Sequence, residues 1–415
     1  MSNTTLTADV VAKMALPILE NELGWVGKLY RAPEEEFSKS VNGYKIGDTL
    51  RIRRPADFTI RSGAVMDVQD VIEGRTTLVI DQQIGVDFQF TSTDLTLKVE
   101  DMASRIIKPA MTTIANQLAK DVAQKMYQGA YNWVGTAGQT INSFADFALG
   151  PQRLDEIAAP QDGRCAILAP ADHWGLLGSQ TALYVNSIAN PAYRNGELGM
   201  IGGVETYMSQ VTPAHTTGSR DNTTPLTDGN SQQVTYDTAK NSWTQTVITD
   251  GWDSSATITA GDVFTLDGVY MVNPKTKADT GILQQFVVTT AVTANETTSN
   301  DTTLTISPPI IISGPHQTVT YSGNFDGRTI TNVGTASTAY KQNMVFHKNC
   351  MALAVVPMEM PQGAYGGSRQ SYKDLSVRII PVYDGINDIS KWRLDLLYGR
   401  ALIDPRVITR LSGSA

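Results

Sequence analysis

The stretch from Val99 to Tyr131, VEDMASRIIKPAMTTIANQLAKDVAQKMYQGAY, constrains the fold more than any other part of the chain. Met102, Ile106, Ile107, Ala110, Met111, Ile114, Leu118, Val122 and Met126 recur three and four residues apart, which puts them on one broad helical face. Arg105, Lys108, Gln117, Lys120 and Lys125 fall towards the other face. Thr96 suits an N-cap, Glu100 and Asp101 favour the positive helix start, and Gly129 suits a stop. About thirty residues at about 1.5 Å each make a rod of roughly 45 Å, longer than the usual three or four turns. Pro109 inside the pattern predicts a kink in the first third. Such a rod reads either as the core helix of a large α+β domain or as a structural spine.

A chain of 415 residues has room for several buried cores. Its net charge of −8 argues against a sequence-independent nucleic-acid binder, because neutralising phosphates takes clustered Lys and Arg. The densest basic run, Arg51-Ile52-Arg53-Arg54, alternates with an apolar residue and reads as a strand with a charged face. Two cysteines, Cys165 and Cys350, are too few for a disulfide framework and fit a reducing compartment. The first residues lack the basic and apolar regions of a signal peptide, and no apolar run approaches membrane-spanning length. These features predict a soluble, unsecreted protein.

Residues 5–30 carry a shorter amphipathic pattern through Val10, Val11, Met14, Ile18 and Leu19, weakened by Pro17 and ended by Gly24. A helix this short is marginal alone and must dock on its own chain or a neighbour. Asp9, Glu20 and Glu22 make its polar side acidic, which suits either plain solvation or a basic assembly factor. Next come strands at Thr49–Arg53 and Thr76–Ile80, then a third with Ile84, Val86, Phe88 and Phe90 on one face. The first two, separated by a polar, Gly-containing tip, predict a long hairpin with few apolar residues for a core of its own. A second helical stretch spans 141–160 with Phe144, Phe147, Leu154 and Ile157, followed by a buried strand at Cys165–Pro170 and a short helix at Asp172-His173-Trp174. From about His215 to Tyr340 the chain is rich in Thr, Ser, Asn, Asp and Gly. Short alternating runs lie at Gln233–Tyr236, Thr244–Ile248, Asp262–Leu266, Gln285–Thr289 and Thr302–Ile306. That spacing predicts a compact all-β, barrel-like insertion. Residues 213–340 hold eleven acids against five bases, so most of the negative charge lies there.

Chemistry is hard to find. His173, His215, His316 and His347 are far apart in unrelated contexts, and neither cysteine sits in a CxxC pair. His347-Lys348-Asn349-Cys350 suggests a nucleophile, but its place beside a strongly apolar run favours a buried structural thiol. NGELGMIGGVETYMSQVTP is Gly-rich, yet it lacks the Gly-Lys-Ser/Thr ending of a phosphate loop and precedes a strand. Glu34-Glu35-Glu36 reads as a solvated turn. The expectation is no catalytic, cofactor-binding or metal-binding residue, no cofactor, and no enzyme.

Five stretches, in order, resemble the major capsid (coat) proteins of tailed phages of the P-22 type, with the Hong Kong 97 capsid fold. They are GDTLRIRRPADFTIRSG, FQFTSTDLTLKVEDMASRIIKPAMTTIANQLAKDV, NGELGMIGGVETYMSQVTP, TAGDVFTLDGVYMVNPKTKADTGILQQFVVT and SVRIIPVYDGINDISKWRLDLLYGRALIDPRVITRL. The resemblance implies an α+β fold with an N-terminal arm at 1–30 and an E-loop hairpin with peripheral-domain strands at 31–98. It places the spine helix with peripheral and axial domain at 99–212, an inserted β-barrel domain at 213–340 and return strands at 341–415. It further implies hexamers and pentamers of one chain in an icosahedral shell around double-stranded DNA, with a scaffolding protein and a portal as partners, assembled in the bacterial cytoplasm without a membrane. The sequence departs from the family at Tyr236–Asn241, a short turn where some members carry a long charged loop. The shell of a cellular nanocompartment and a cytoplasmic enzyme with an unrecognised site are the alternatives; the inserted β segment favours the virus.

Overall fold

The computed structural model describes residues 8–31, 49–66, 68–91, 106–181, 198–220, 224–294, 301–361, 366–372 and 375–414. Its contacts divide the chain into two compact units. One holds Met1–Arg51, Thr77–Val122 and Met351–Ala401; the other holds Ile52–Thr76, Ala123–Cys350 and Leu402–Ala415.

The first unit is built on a long-stranded sheet in the order Thr49–Arg53, Arg75–Thr91, Ile389–Leu402, Leu375–Asp384 and Ser368–Tyr372, with Met351–Val356 also paired to Ile389–Leu402. The two strands expected at 76–80 and 84–90 are a single one, Arg75–Thr91, paired antiparallel from Ile80↔Gly399 to Thr91↔Ile389 with a register shift at Asp81. The polar Asp81-Gln82-Gln83 stretch thus marks a bulge within one strand, and pairing resumes at Gln82↔Tyr398. Leu394, Leu396 and Tyr398 alternate along that partner and are fully buried, the period-two signature of a strand with one covered face.

The N-terminal helix spans Ala8–Leu23 and continues into a tighter turn at Gly24–Lys28. Val11, Ala12, Ala15, Leu16, Leu19 and Leu23 are buried where it packs on the Ser368–Tyr372 and Leu375–Asp384 strands, while Met14 is exposed. It therefore docks on its own chain, and Leu353 N donates to Tyr30 O just beyond it at 3.1 Å.

The long helix runs from Lys108 to Gly129. Residues 99–105 of the expected span lie outside the described residues. Pro109 is the second residue of that span, and a wider, π-type turn at Ile106 and Ile107 directly precedes the regular helix. Ile107, Met111, Ile114, Leu118 and Val122 are buried and Lys108, Gln117 and Lys120 exposed, as the spacing requires. Tyr398 Oη donates to Asp121 Oδ2 at 2.5 Å and Arg400 approaches the same carboxylate at 3.9 Å, which seats the helix on the Ile389–Leu402 strand. The N-terminal helix covers the Leu375–Asp384 strand.

The second unit contains a mixed sheet in the order Asn132–Val134, Ile408–Leu411, Asn343–His347, Arg164–Leu168, Val204–Met208 and Met200–Ile201. The Phe144–Glu156 helix, capped by Ser143 Oγ accepting from Asp146 N at 3.1 Å, lies on it with Phe147 and Leu154 buried and Phe144 half exposed. Ala214–Thr216 and Ala339–Lys341 pair antiparallel, Tyr340 opposite His215, and bring together the two ends of the β-rich segment. Within it a sheet runs Val319–Thr320, Val263–Val272, Asp279–Val288, Thr302–Ser307, Gln245–Asp250, Leu226–Thr227, and Ile330–Asn332 pairs with Val263–Val272. A bridge from Leu226 to Thr329 and bonds between Thr227 and Arg328 join the two ends of this order, so the sheet closes on itself as a barrel. Val247, Phe264, Leu266, Phe286, Val288, Leu304 and Ile306 fill it, while Val263 and Val287, one residue out of phase, pack outside with Trp133 and Tyr340. The run expected as a strand at Gln233–Tyr236 is not one. Tyr236–Ala239 forms a single helical turn, and the Tyr236 ring stacks on His316 at 3.5 Å. No helix among the described residues is long and apolar enough to cross a membrane.

Leu118 is fully buried and Lys120 exposed on one helix, which makes them a matched test of the buried face. Leu118→Ala is expected to cost about 2–5 kcal/mol and Lys120→Ala less than about 0.5 kcal/mol. Urea midpoints decide it; equal midpoints would mean the wrong face has been assigned to the core.

Candidate assembly site and its buried anchors

The residues singled out for chemistry are scattered. All four histidines are buried: His173 beside Trp174, His215 on Asp262, His316 under Tyr236, and His347 facing Asp162 at 4.0 Å. Cys165 and Cys350 are free, buried thiols. Among the described residues no group of His, Cys, Asp and Glu is placed to hold a metal ion. The Gly-rich loop is the tight turn Gly202-Gly203 between Met200–Ile201 and Val204–Met208, where both glycines adopt positive φ. Glu34–Glu36 lies outside the described residues.

What the second unit does present is an apolar loop on a polar foundation. Residues 58–72, the tip between the Thr49–Arg53 and Arg75–Thr91 strands, turn Phe58, Ile60, Val65, Met66, Val68 and Val71 to solvent, Ile60 being 89% and Val65 85% exposed. The sequence reading found too few apolar residues for a core here; the structure shows that those present build none and face outward. Two polar side chains bond within the loop. Gln69 bridges both backbone atoms of Thr59, accepting at 2.9 Å and donating at 2.7 Å, and Arg61 Nη1 donates to the carbonyls of Gly63 and Val65.

Directly before the tip, Asp57 is only 8% exposed. Its carboxylate accepts from Arg406 Nη1 at 2.8 Å, with Lys275 Nζ at 3.4 Å and His316 Nδ1 at 3.7 Å. Burial alone would push the Asp57 carboxyl up; Arg406 and then Lys275 outweigh it and hold it below the usual carboxylate range. Burial lowers His316 to about 4, so this imidazole is neutral at neutral pH. Arg406 is itself oriented by Asp404, which accepts from Nε at 3.0 Å and Nη2 at 2.9 Å. The guanidinium groups of Arg406 and Arg54 lie over the Trp243 ring at 5.6 and 5.8 Å. Asp57 and Arg406 are 349 residues apart, which is why sequence reading missed the pair.

A second anchor sits where the barrel's ends meet. Asp262, 1% exposed, lies 3.0 Å from His215 Nε2 and accepts from Gly218 N at 3.1 Å and Thr259 N at 2.8 Å, with Arg220 at 3.8 Å. Beside it the fully buried Arg410 donates to Gly261 O at 2.7 Å and to Tyr127 O, at the end of the long helix, at 2.5 Å. Burial pushes Arg410 down to about 9, against the pull of Tyr127 and Asp262. Gly261-Asp262 was visible as a motif; its partners were not.

Burial also pushes Asp262 up, but the His215 bond and the Arg220 charge hold it below 3.8. A carboxyl with a depressed folded pKa contributes stability above its unfolded pKa and loses it as pH falls through the folded one. Asp262→Ala is therefore expected to cost about 3–5 kcal/mol at neutral pH, leaving two N–H groups without their acceptor and buried Arg220 without its facing charge. The variant's stability should also fall less steeply than the parent's below pH 3.8. Urea titrations across pH check both; an unchanged midpoint at pH 7 would contradict the anchor.

Residues 30–413 match the family described as P22 coat protein, gene protein 5. No curated protein matches the chain. In structure it is similar to a chain from Mycobacterium phage Che8, at 12% identity and a TM-score of 0.48, over 93% of this chain and 89% of that one. It is also similar to the capsid of the cyanophage P-SCSP1u, at 11% identity and a TM-score of 0.42, over 92% and 88% of the two chains. A virus-like particle from Pyrococcus furiosus covers 97% of this chain with 98% of its own, at 8% identity and a TM-score of 0.41. The family match, spanning nearly the whole sequence, makes the assignment that these distant likenesses do not. The chain belongs to the P22 coat protein family: it is the major capsid protein of a tailed phage, an α+β subunit that builds the virion shell and has a structural, non-enzymatic role.

Proposed function

We propose that copies of this chain close an icosahedral shell of hexamers and pentamers around double-stranded DNA, each copy seating its 58–72 tip on a neighbouring copy. The observation that carries the reading is the inverted tip, where Gln69 bonds Thr59 within the loop while the large apolar side chains face water. A second copy is the occupant that a self-assembling subunit supplies. Assembly in the host cytoplasm, with a scaffolding protein to set curvature and a portal at one vertex, completes the proposal. The net charge of −8 fits a container whose inner wall does not bind the packed DNA tightly. The segment 213–340 serves as an inserted domain, a role supported by its closed barrel and by the pairing of its ends at His215 and Tyr340.

Replacing residues 58–72 with a short Gly-Ser turn keeps Asp57 and both flanking strands. The purified variant is expected to unfold cooperatively like the parent but to give no closed shells in negative-stain micrographs. Normal particles from this variant would contradict the docking of the tip.

A further inference from the structure

A loop that docks on a neighbour binds well only if it leaves its own subunit in the right direction. Four independent contacts set that direction here, all at the root of the tip and all inside one compact unit. Asp57 is tied to Arg406, whose own orientation is fixed by Asp404 and by the Trp243 ring. Arg54 N donates to Gly74 O at 2.8 Å and Arg54 Nε to Thr76 Oγ1 at 2.8 Å, locking the two sides of the root together. Arg75 N donates to Asn241 Oδ1 at 3.2 Å, in the short turn after Tyr236. Gly74 is pressed against that same turn: a Cβ there would meet Lys240 O at 2.3 Å and Tyr236 Oη at 2.8 Å. Past Asp57, among the described residues, no comparable tie holds the tip, and its apolar side chains are exposed.

We propose that this cluster, centred on Asp57, Arg406 and the Tyr236–Trp243 turn, is a positioning clamp that aims the tip before a neighbour arrives. The inference rests on the docking of the tip proposed above. A buried ion pair adds little net stability over an apolar contact of the same size, but its directional bonds favour one geometry over others. That is the property a pose-setting contact needs. The short Tyr236–Asn241 turn, where the sequence departs from relatives with a long charged loop, thereby acquires a role within the subunit. If the aimed pose is populated only about a tenth of the time, the apparent affinity for the neighbour falls about tenfold.

The test uses the full chain with spin labels at Val68→Cys and Thr303→Cys, both exposed, since the native thiols are buried. In the otherwise unchanged protein the measured inter-label distance should be narrow. Asp57→Asn, which removes the charge and keeps the shape, should broaden it, and Gly74→Ala should do so independently through the Lys240 carbonyl. Lys275→Ala, with its side chain largely in solvent, should broaden it least. Without labels, Asp57→Asn should raise the subunit concentration needed for shell formation about tenfold or more, and Asp57→Glu should recover part of the loss. A distance distribution that stays narrow in both Asp57→Asn and Gly74→Ala would overturn the clamp, even if removing the tip abolishes shells. Loss of cooperative unfolding in Asp57→Asn would overturn it too, by making Asp57 a folding residue. If the distance broadens and assembly is unaffected, the clamp fails as an aiming device.

Discussion

A carboxylate withdrawn from water has to be met by charge and hydrogen bonds, and Asp57 is met by Arg406 and Lys275 from segments hundreds of residues away. The second unit depends on that match. The pair draws the root of the 58–72 tip, the Tyr236–Trp243 turn and the Asp404–Arg406 turn to one point, and Trp243 supplies an aromatic face for two guanidinium groups. Desolvation offsets much of the attraction, so the gain lies in geometry more than in stability. The apolar tip beyond it is the reverse of a core: its large side chains are wet.

Asp262 plays the corresponding part for the β-rich segment. The two ends of the β-rich segment meet where the Ala214–Thr216 and Ala339–Lys341 strands pair. The carboxylate collects His215, Gly218, Thr259 and Arg220 at that junction, and Arg410 ties the neighbouring Gly261 to the carboxyl end of the long helix. Both anchors hold charge out of solvent at places where segments converge, and neither resembles a catalytic centre. A subunit that must keep one shape while making many lateral contacts is served by such fixed points.

Much of this fold was legible because its signals are periodic. The buried face of the long helix follows from residues three and four apart, and the alternation at 262–266 and 302–306 marked barrel strands correctly. The misreadings share a cause. Arg75–Thr91 was split at Asp81-Gln82-Gln83, where the register does shift, because local polarity cannot report that pairing with the partner strand resumes at Gln82. Gln233–Tyr236 alternates like a strand, yet the stacking of Tyr236 on His316 turns the chain there. Barrel closure depends on Leu226 meeting Thr329, and the Asp57 anchor on Arg406; contacts over such distances leave no local pattern. The capsid identity was legible through five ordered motifs, none of which contains both halves of the Asp57 anchor.

The central claim is that the tip is wet in the free subunit and covered in the shell. Met66 reports on this without any substitution, because it is 77% exposed in the chain by itself. Its rate of oxidation by hydrogen peroxide, followed by peptide mass spectrometry, can be compared between free subunits and assembled particles, with buried Met111 and Met344 as internal references. Rapid oxidation of Met66 in subunits and strong protection in particles is the predicted result. Equal rates in the two states would contradict the account, since the apolar tip would then remain in water after the shell has closed.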